Sequence, residues 1–129
     1  MAVYVNSKVD IEHILPLAVT SEMSEGFGGR NEARQCLHRL GNLTLLERAC
    51  KAAVSNKPFA EKQAGYARSD FLLTRGLAPG AEAGRDTAVD HALQMVGSYT
   101  EWNAEAFQLR ERKLIELARL VWDVPRPTA

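Results

Sequence analysis

The sequence predicts a mostly helical α+β domain in which one small pair of strands is surrounded by helices. Three observations predict it. The run Val9 to Leu15 is apolar and β-branched and is stopped by Pro16, as a strand leaving a sheet would be. A second apolar run, Leu43 to Leu46, follows Gly41 and precedes an alanine-rich segment. Most of the remaining chain carries helix caps and helical spacing of apolar residues.

Val3-Tyr4-Val5 is also strand-like, so regular structure is expected almost from Met1. On the strand from Val9, alternation puts Asp10 and Glu12 on one face and His13 on the other, unless the strand twists at its end. Residues 17 to 31 look irregular and contain Gly26, Gly28 and Gly29. A structureless loop of that length is usually functional. Asn31 can cap a short helix from Glu32 to Leu40, ended by Gly41. Glu47 to Val54 reads as helix. Ser55 or Asn56 can cap the next one, with Pro58 in its first turn. There Phe59, Lys62, Tyr66 and Ser69 fall on one face. Asp70 to Ala78 is expected to continue as helix until Pro79-Gly80, and Pro79 to Gly84 to form a flexible link. Asp86 can cap a helix to about Val96. Asn103 caps the last one, Ala104 to Trp122, with Phe107, Leu114, Leu117, Ala118, Val121 and Trp122 as its buried stripe. Pro125 and Pro127 mark a loose tail.

A chain of 129 residues is expected to form one domain, residues 1–129. It is 46% hydrophobic and 25% charged, as globular proteins are, and no apolar run is long enough to span a membrane. No signal peptide is evident at the start, and Cys36 and Cys50 form no metal-binding pattern. A cytoplasmic protein with both cysteines reduced in the core is the expectation. A formal net charge of zero gives no general affinity for nucleic acid but leaves room for a local basic face.

The residues that suggest chemistry are Glu12-His13 and Gly41-Asn42. Phosphodiester hydrolysis needs a base for water, a cation for the phosphate charge, and something to hold the base in line. Histidine titrates near neutrality and suits the first role. A carboxylate such as Glu12 suits a hard divalent ion, with an asparagine oxygen as partner. The Asn42 amide can bridge backbone groups and pin the segment carrying His13.

At these residues the chain resembles a family. Glu12-His13-Ile14-Leu15-Pro16, then His38-Arg39-Leu40-Gly41-Asn42-Leu43-Thr44-Leu45-Leu46, then Ser55-Asn56-Lys57-Pro58-Phe59 with Lys62, Tyr66 and Ser69, stand in the order of an HNH-type nuclease domain. Trp102, Phe107, Arg110, Leu114, Ala118 and Trp122 are similar to that family's final helix. The domain resembles the C-terminal domain of GmrSD-type, modification-dependent restriction enzymes, a branch of the His-Me finger (ββα-metal) nucleases.

The resemblance implies a hairpin-and-helix core holding one divalent metal, Mg²⁺ or Mn²⁺, and cleavage of DNA to 5′-phosphate and 3′-hydroxyl ends. It implies His13 as general base, Glu12 as a metal ligand and Asn42 as the asparagine supporting the base. It further implies a C-terminal piece of a larger protein, whose N-terminal NTPase-like sensor domain selects the DNA, in defence against phage. One position departs. The last ligand is expected nine residues after Asn42, where Lys51 stands, and an ammonium has no lone pair for a metal. Three readings are open: Asn56 is the ligand, the alignment is shifted, or the site binds metal poorly. Lys51 can also reach phosphate itself. Lys57, Lys62, Arg39 and Arg30 are the other candidate DNA contacts, with Arg34 beside them. His38 is a second-tier site residue. His91 and the Arg110-Arg112-Lys113 cluster read as solvated helix faces, and Tyr66, Trp102 and Trp122 as core. The expected function is a metal-dependent DNA endonuclease domain. The alternative is a metal-deficient relative that binds DNA or a neighbouring domain.

Overall fold

The computed structural model describes residues 8–79 and 96–122. Element order is β1 (Val9–His13), α1 (Ser21–Glu25), α2 (Arg30–Cys36), a 3₁₀ turn (Leu40–Asn42), β2 (Leu43–Glu47), α3 (Arg48–Val54), α4 (Phe59–Tyr66), α5 (Leu72–Arg75) and α6 (Ala104–Trp122). The expected strands Val3 to Val5, the link after Pro79, the helix from Asp86 with His91, and the tail at Pro125 lie outside these residues.

β1 and β2 form the expected antiparallel pair, from Val9 opposite Glu47 to His13 opposite Leu43. Pairing continues past the strand end, where the Ile14 N–H donates to the Asn42 carbonyl at 2.9 Å. Alternation then works as the sequence suggests. Glu12, Thr44 and Leu46 are buried, while Ile11 and Leu45 face outward.

Two apolar clusters flank this pair. Ile14, Leu46, Val54, Phe59, Tyr66 and Leu77 form one; Leu15, Phe27, Ala33, Leu37 and Phe107 form the other. Consecutive residues Ile14 and Leu15 thus enter different clusters, and the Trp102 ring touches both. The segment after His13 is therefore anchored on two sides.

The segment from 17 to 31 is more ordered than its composition suggests. Thr20 caps α1, its side-chain oxygen accepting from the Met23 N–H at 3.2 Å. α2 starts at Arg30 after Gly29, whose φ of 125° favours glycine, and not at Glu32 with Asn31 as its cap. It also ends earlier than expected, at Cys36. Residues 70 to 78 hold only the short α5. Asn103 does cap α6, accepting from the Ala106 N–H at 2.9 Å.

α6 is docked on the 3₁₀ turn. The Arg110 guanidinium donates to the carbonyls of Gly41 and Leu43, both at 2.9 Å. The Glu111 carboxylate accepts from the Gly41 N–H and pairs with Arg39. A Cβ on Gly41 would lie 2.7 Å from both the Phe107 carbonyl oxygen and Glu111 Cβ. Gly41 is there for close approach, not to end a helix. Arg110 is buried rather than solvated; burial pulls its pKa down to about 10, with Tyr99 and Tyr66 opposing, so it stays charged at neutral pH. At the far end of α6, Val121 and Trp122 are 64% and 73% exposed, which corrects their assignment to a buried stripe.

Candidate functional site

β1 presents Glu12 inward and ends on His13, which is half-buried. Glu12 is only 3% exposed, and its carboxylate is fully engaged from one side. Oε2 accepts from the Lys62 ammonium at 2.8 Å and from the Tyr66 hydroxyl at 2.6 Å. Oε1 faces the Lys51 ammonium at 3.4 Å. α4 makes this possible because Lys62 and Tyr66 stand four residues apart on one helical face. α3 follows β2 directly and brings Lys51 over the Ile11 carbonyl, also at 3.4 Å.

The structure places Lys62, expected at a DNA-facing position, inside this cluster and not on the surface. Its side chain has no exposure, and besides Glu12 it donates to the carbonyls of His13 at 2.8 Å and Ile14 at 3.2 Å. Burial lowers its pKa, while the hydrogen bond and charge of Glu12 pull it back up. Burial first, and then the Glu12 charge, push the Tyr66 phenol far above its usual range, so it remains a donor. A buried carboxylate without such partners would be costly, and here every carboxylate oxygen has one.

On the other side of the strand end, His13 Nε2 lies 3.1 Å from His38 Nδ1, with the rings edge to face and their centroids 5.1 Å apart. The structure thus places the second-tier His38 beside His13. Burial, then the His38 imidazole, lower the His13 pKa below its usual 6.5; Glu12 opposes, and Lys51 and Lys62 lower it further. His13 is neutral at physiological pH.

Asn42 is wholly buried and uses its amide in four hydrogen bonds. Oδ1 accepts from the Leu15 N–H at 2.7 Å and the Trp102 indole at 3.0 Å. Nδ2 donates to the carbonyls of Leu15 at 3.1 Å and Leu37 at 3.0 Å. The amide ties the chain just after His13 to the chain just before His38. Trp102 is thus a polar anchor as well as core, a role its sequence position did not signal.

The remaining candidates do not converge on this centre. Arg39 pairs with Glu111 and lies over the Phe107 ring, 5.1 Å from its centroid. Arg30 donates to the Ser21 hydroxyl at 2.9 Å. Lys57 is exposed and donates to the Ala53 carbonyl at 3.1 Å. Asn56 is exposed and lines a shallow surface cavity with residues 18 to 23, Arg30 and Pro58.

The donor set does not suit the expected divalent ion. Glu12 already holds two ammonium groups and a phenol, and Lys51 would repel a second cation. Asn56 belongs to a different cavity, whose lining does not include Glu12. Among the described residues no group of three or more His, Cys, Asp or Glu side chains is placed to hold a metal ion.

A small antiparallel pair carries a buried acid, a neighbouring histidine pair and an asparagine clamp in a mostly helical α+β domain. The chain matches the family described as "GmrSD restriction endonucleases, C-terminal domain" over residues 2–117. It belongs to that family. No curated protein and no solved structure matches it. No described helix is long and apolar enough to cross a membrane.

Proposed function

We propose that this domain acts on DNA phosphodiesters, with His13 as the base that activates water. The observation that carries the reading is the His13–His38 pair, with His13 Nε2 held 3.1 Å from His38 Nδ1 at the end of β1 and the His13 pKa lowered by burial. One proton occupies the bond between the rings. If His13 Nε2–H donates to His38 Nδ1, the His13 Nδ1 lone pair is left for water; in the opposite tautomer the free lone pair is His38 Nε2. The water proton passes to that nitrogen, its oxygen bonds to phosphorus, and the 3′-oxygen leaves with its electron pair and takes a proton from solvent. Membership of a restriction-endonuclease family supports DNA as the substrate. Asn42 acts as a positioning residue by fixing Leu15 and Leu37 on either side of the pair. The HNH class, a cytoplasmic role in defence against phage, and an N-terminal sensor domain that selects the DNA belong to the same proposal.

A second reading is a module that holds DNA without cutting it. The Lys51–Glu12 ion pair favours it, because it leaves no carboxylate free for a metal. The test is to follow binding and nicking of supercoiled plasmid by the same preparations of wild type, His13→Ala and His38→Ala. Nicking by wild type that His13→Ala loses, with binding retained, supports the first reading. Binding without nicking by any of them supports the second.

A further inference from the structure

We propose that the Lys51 ammonium is a built-in cation that holds a phosphodiester beside His13 without a divalent ion. The inference rests on the reading that this site faces DNA phosphates.

The charges around Glu12 do not cancel. Glu12 contributes one negative charge, and Lys62 one positive charge in direct contact at 2.8 Å. Lys62 is sealed in, with its three donors spent on Glu12 and the carbonyls of His13 and Ile14. Lys51 adds a second positive charge, so the cluster carries a net charge of plus one. The two lysines differ in how they are held. Lys51 is 35% exposed, and both of its contacts, to Glu12 Oε1 and the Ile11 carbonyl, are long at 3.4 Å. An ammonium has three donors, so at least one of them is left for a ligand. The groups it touches lie on β1, immediately before His13.

A singly charged phosphodiester that reaches the part-exposed Lys51 ammonium is neutralised by that one charge. A divalent ion there would meet an ammonium and share a carboxylate whose Oε2 is already taken twice. The same lysine therefore both attracts the anion and excludes the metal. The short, fully buried Glu12–Lys62–Tyr66 contacts fix the carboxylate that orients Lys51, so the cation is placed by the fold, not by the ligand.

The experiment uses the whole chain and two probes. A short fluorescent DNA duplex is titrated in EDTA and again in Mn²⁺, and Mn²⁺ alone is titrated by electron paramagnetic resonance. The expected result is duplex binding in EDTA that Mn²⁺ does not strengthen, and no Mn²⁺ bound by the protein. Lys51→Met should weaken duplex binding about five-fold and reduce the salt slope of log Kd by about one, while Lys51→Arg retains both. Stoichiometric Mn²⁺ binding by wild type overturns the proposal, as does Lys51→Met with unchanged affinity and salt slope. Duplex binding that appears only with Mn²⁺ overturns it while leaving the DNA reading intact. No duplex binding in either condition overturns both.

Discussion

Replacing Lys62 with methionine is the sharpest perturbation of the site's framework. The side chain is wholly buried, and its ammonium makes three hydrogen bonds, to Glu12 Oε2 and to the carbonyls of His13 and Ile14. Methionine keeps most of the volume but strands the Glu12 carboxylate, itself 3% exposed, with only Tyr66 and the looser Lys51 as partners. Breaking one side of a buried ion pair costs roughly 3–5 kcal/mol, against a total stability of about 5–15 kcal/mol for a domain. Urea unfolding should therefore show a midpoint lowered by more than 1 M, taking a slope of about 1–3 kcal/mol per M. Glu12→Gln alone should be similarly damaging, since it leaves Lys62 charged and buried. The double variant Glu12→Gln/Lys62→Met should be less destabilised than the sum of the two singles, by at least about 1 kcal/mol. Additive losses, or a Lys62→Met loss under about 1 kcal/mol, would refute the reasoning that these groups form one buried network.

Three further outcomes are expected. Asn42→Ala leaves two carbonyls, one N–H and the Trp102 indole unpartnered, and should cost about 3–5 kcal/mol in urea unfolding. Gly41→Ala drives a Cβ to 2.7 Å from the Phe107 carbonyl oxygen and Glu111 Cβ, and should cost about 1–3 kcal/mol; a neutral result would mean that α6 is not docked there. In an NMR titration the His13 ring should reach its midpoint below 6.5, and His38→Ala should raise that midpoint. Because the folded pKa is the lower one, the unfolded chain binds the extra proton first. This contribution to stability is present above 6.5 and is lost as pH falls from 6.5 through the folded value, which urea midpoints measured across that window would register.

The parts of the fold legible in the sequence were those with a local signature. Pro16 and β-branching marked β1, Asn103 marked the start of α6, and the spacing Phe59, Lys62, Tyr66, Ser69 marked a face that is indeed buried throughout. A lysine between Phe59 and Tyr66 on one helical face signals a buried ammonium, as Arg110 between Phe107 and Leu114 signals a buried guanidinium. Charge alone suggests solvent or phosphate for both, whereas position on the apolar face puts both side chains inside. α1 was missed because it spans only five residues and depends on the Thr20 cap, not on periodicity. The partnership of His13 with His38 was not legible because it joins residues 25 apart through a turn fixed by the Asn42 amide and by α6. Trp122 was misassigned because helical periodicity says which residues share a face, not how far along a helix that face stays covered.

The role proposed for His13 is that of the base in a phosphodiesterase site. Single-turnover nicking of supercoiled plasmid at mildly alkaline pH, comparing wild type with His13→Ala, tests it most directly. With His13 as the base, wild type nicks the plasmid and His13→Ala loses about 10²- to 10⁴-fold in rate, the range for removal of a general base. Equal nicking rates in the two proteins would contradict it.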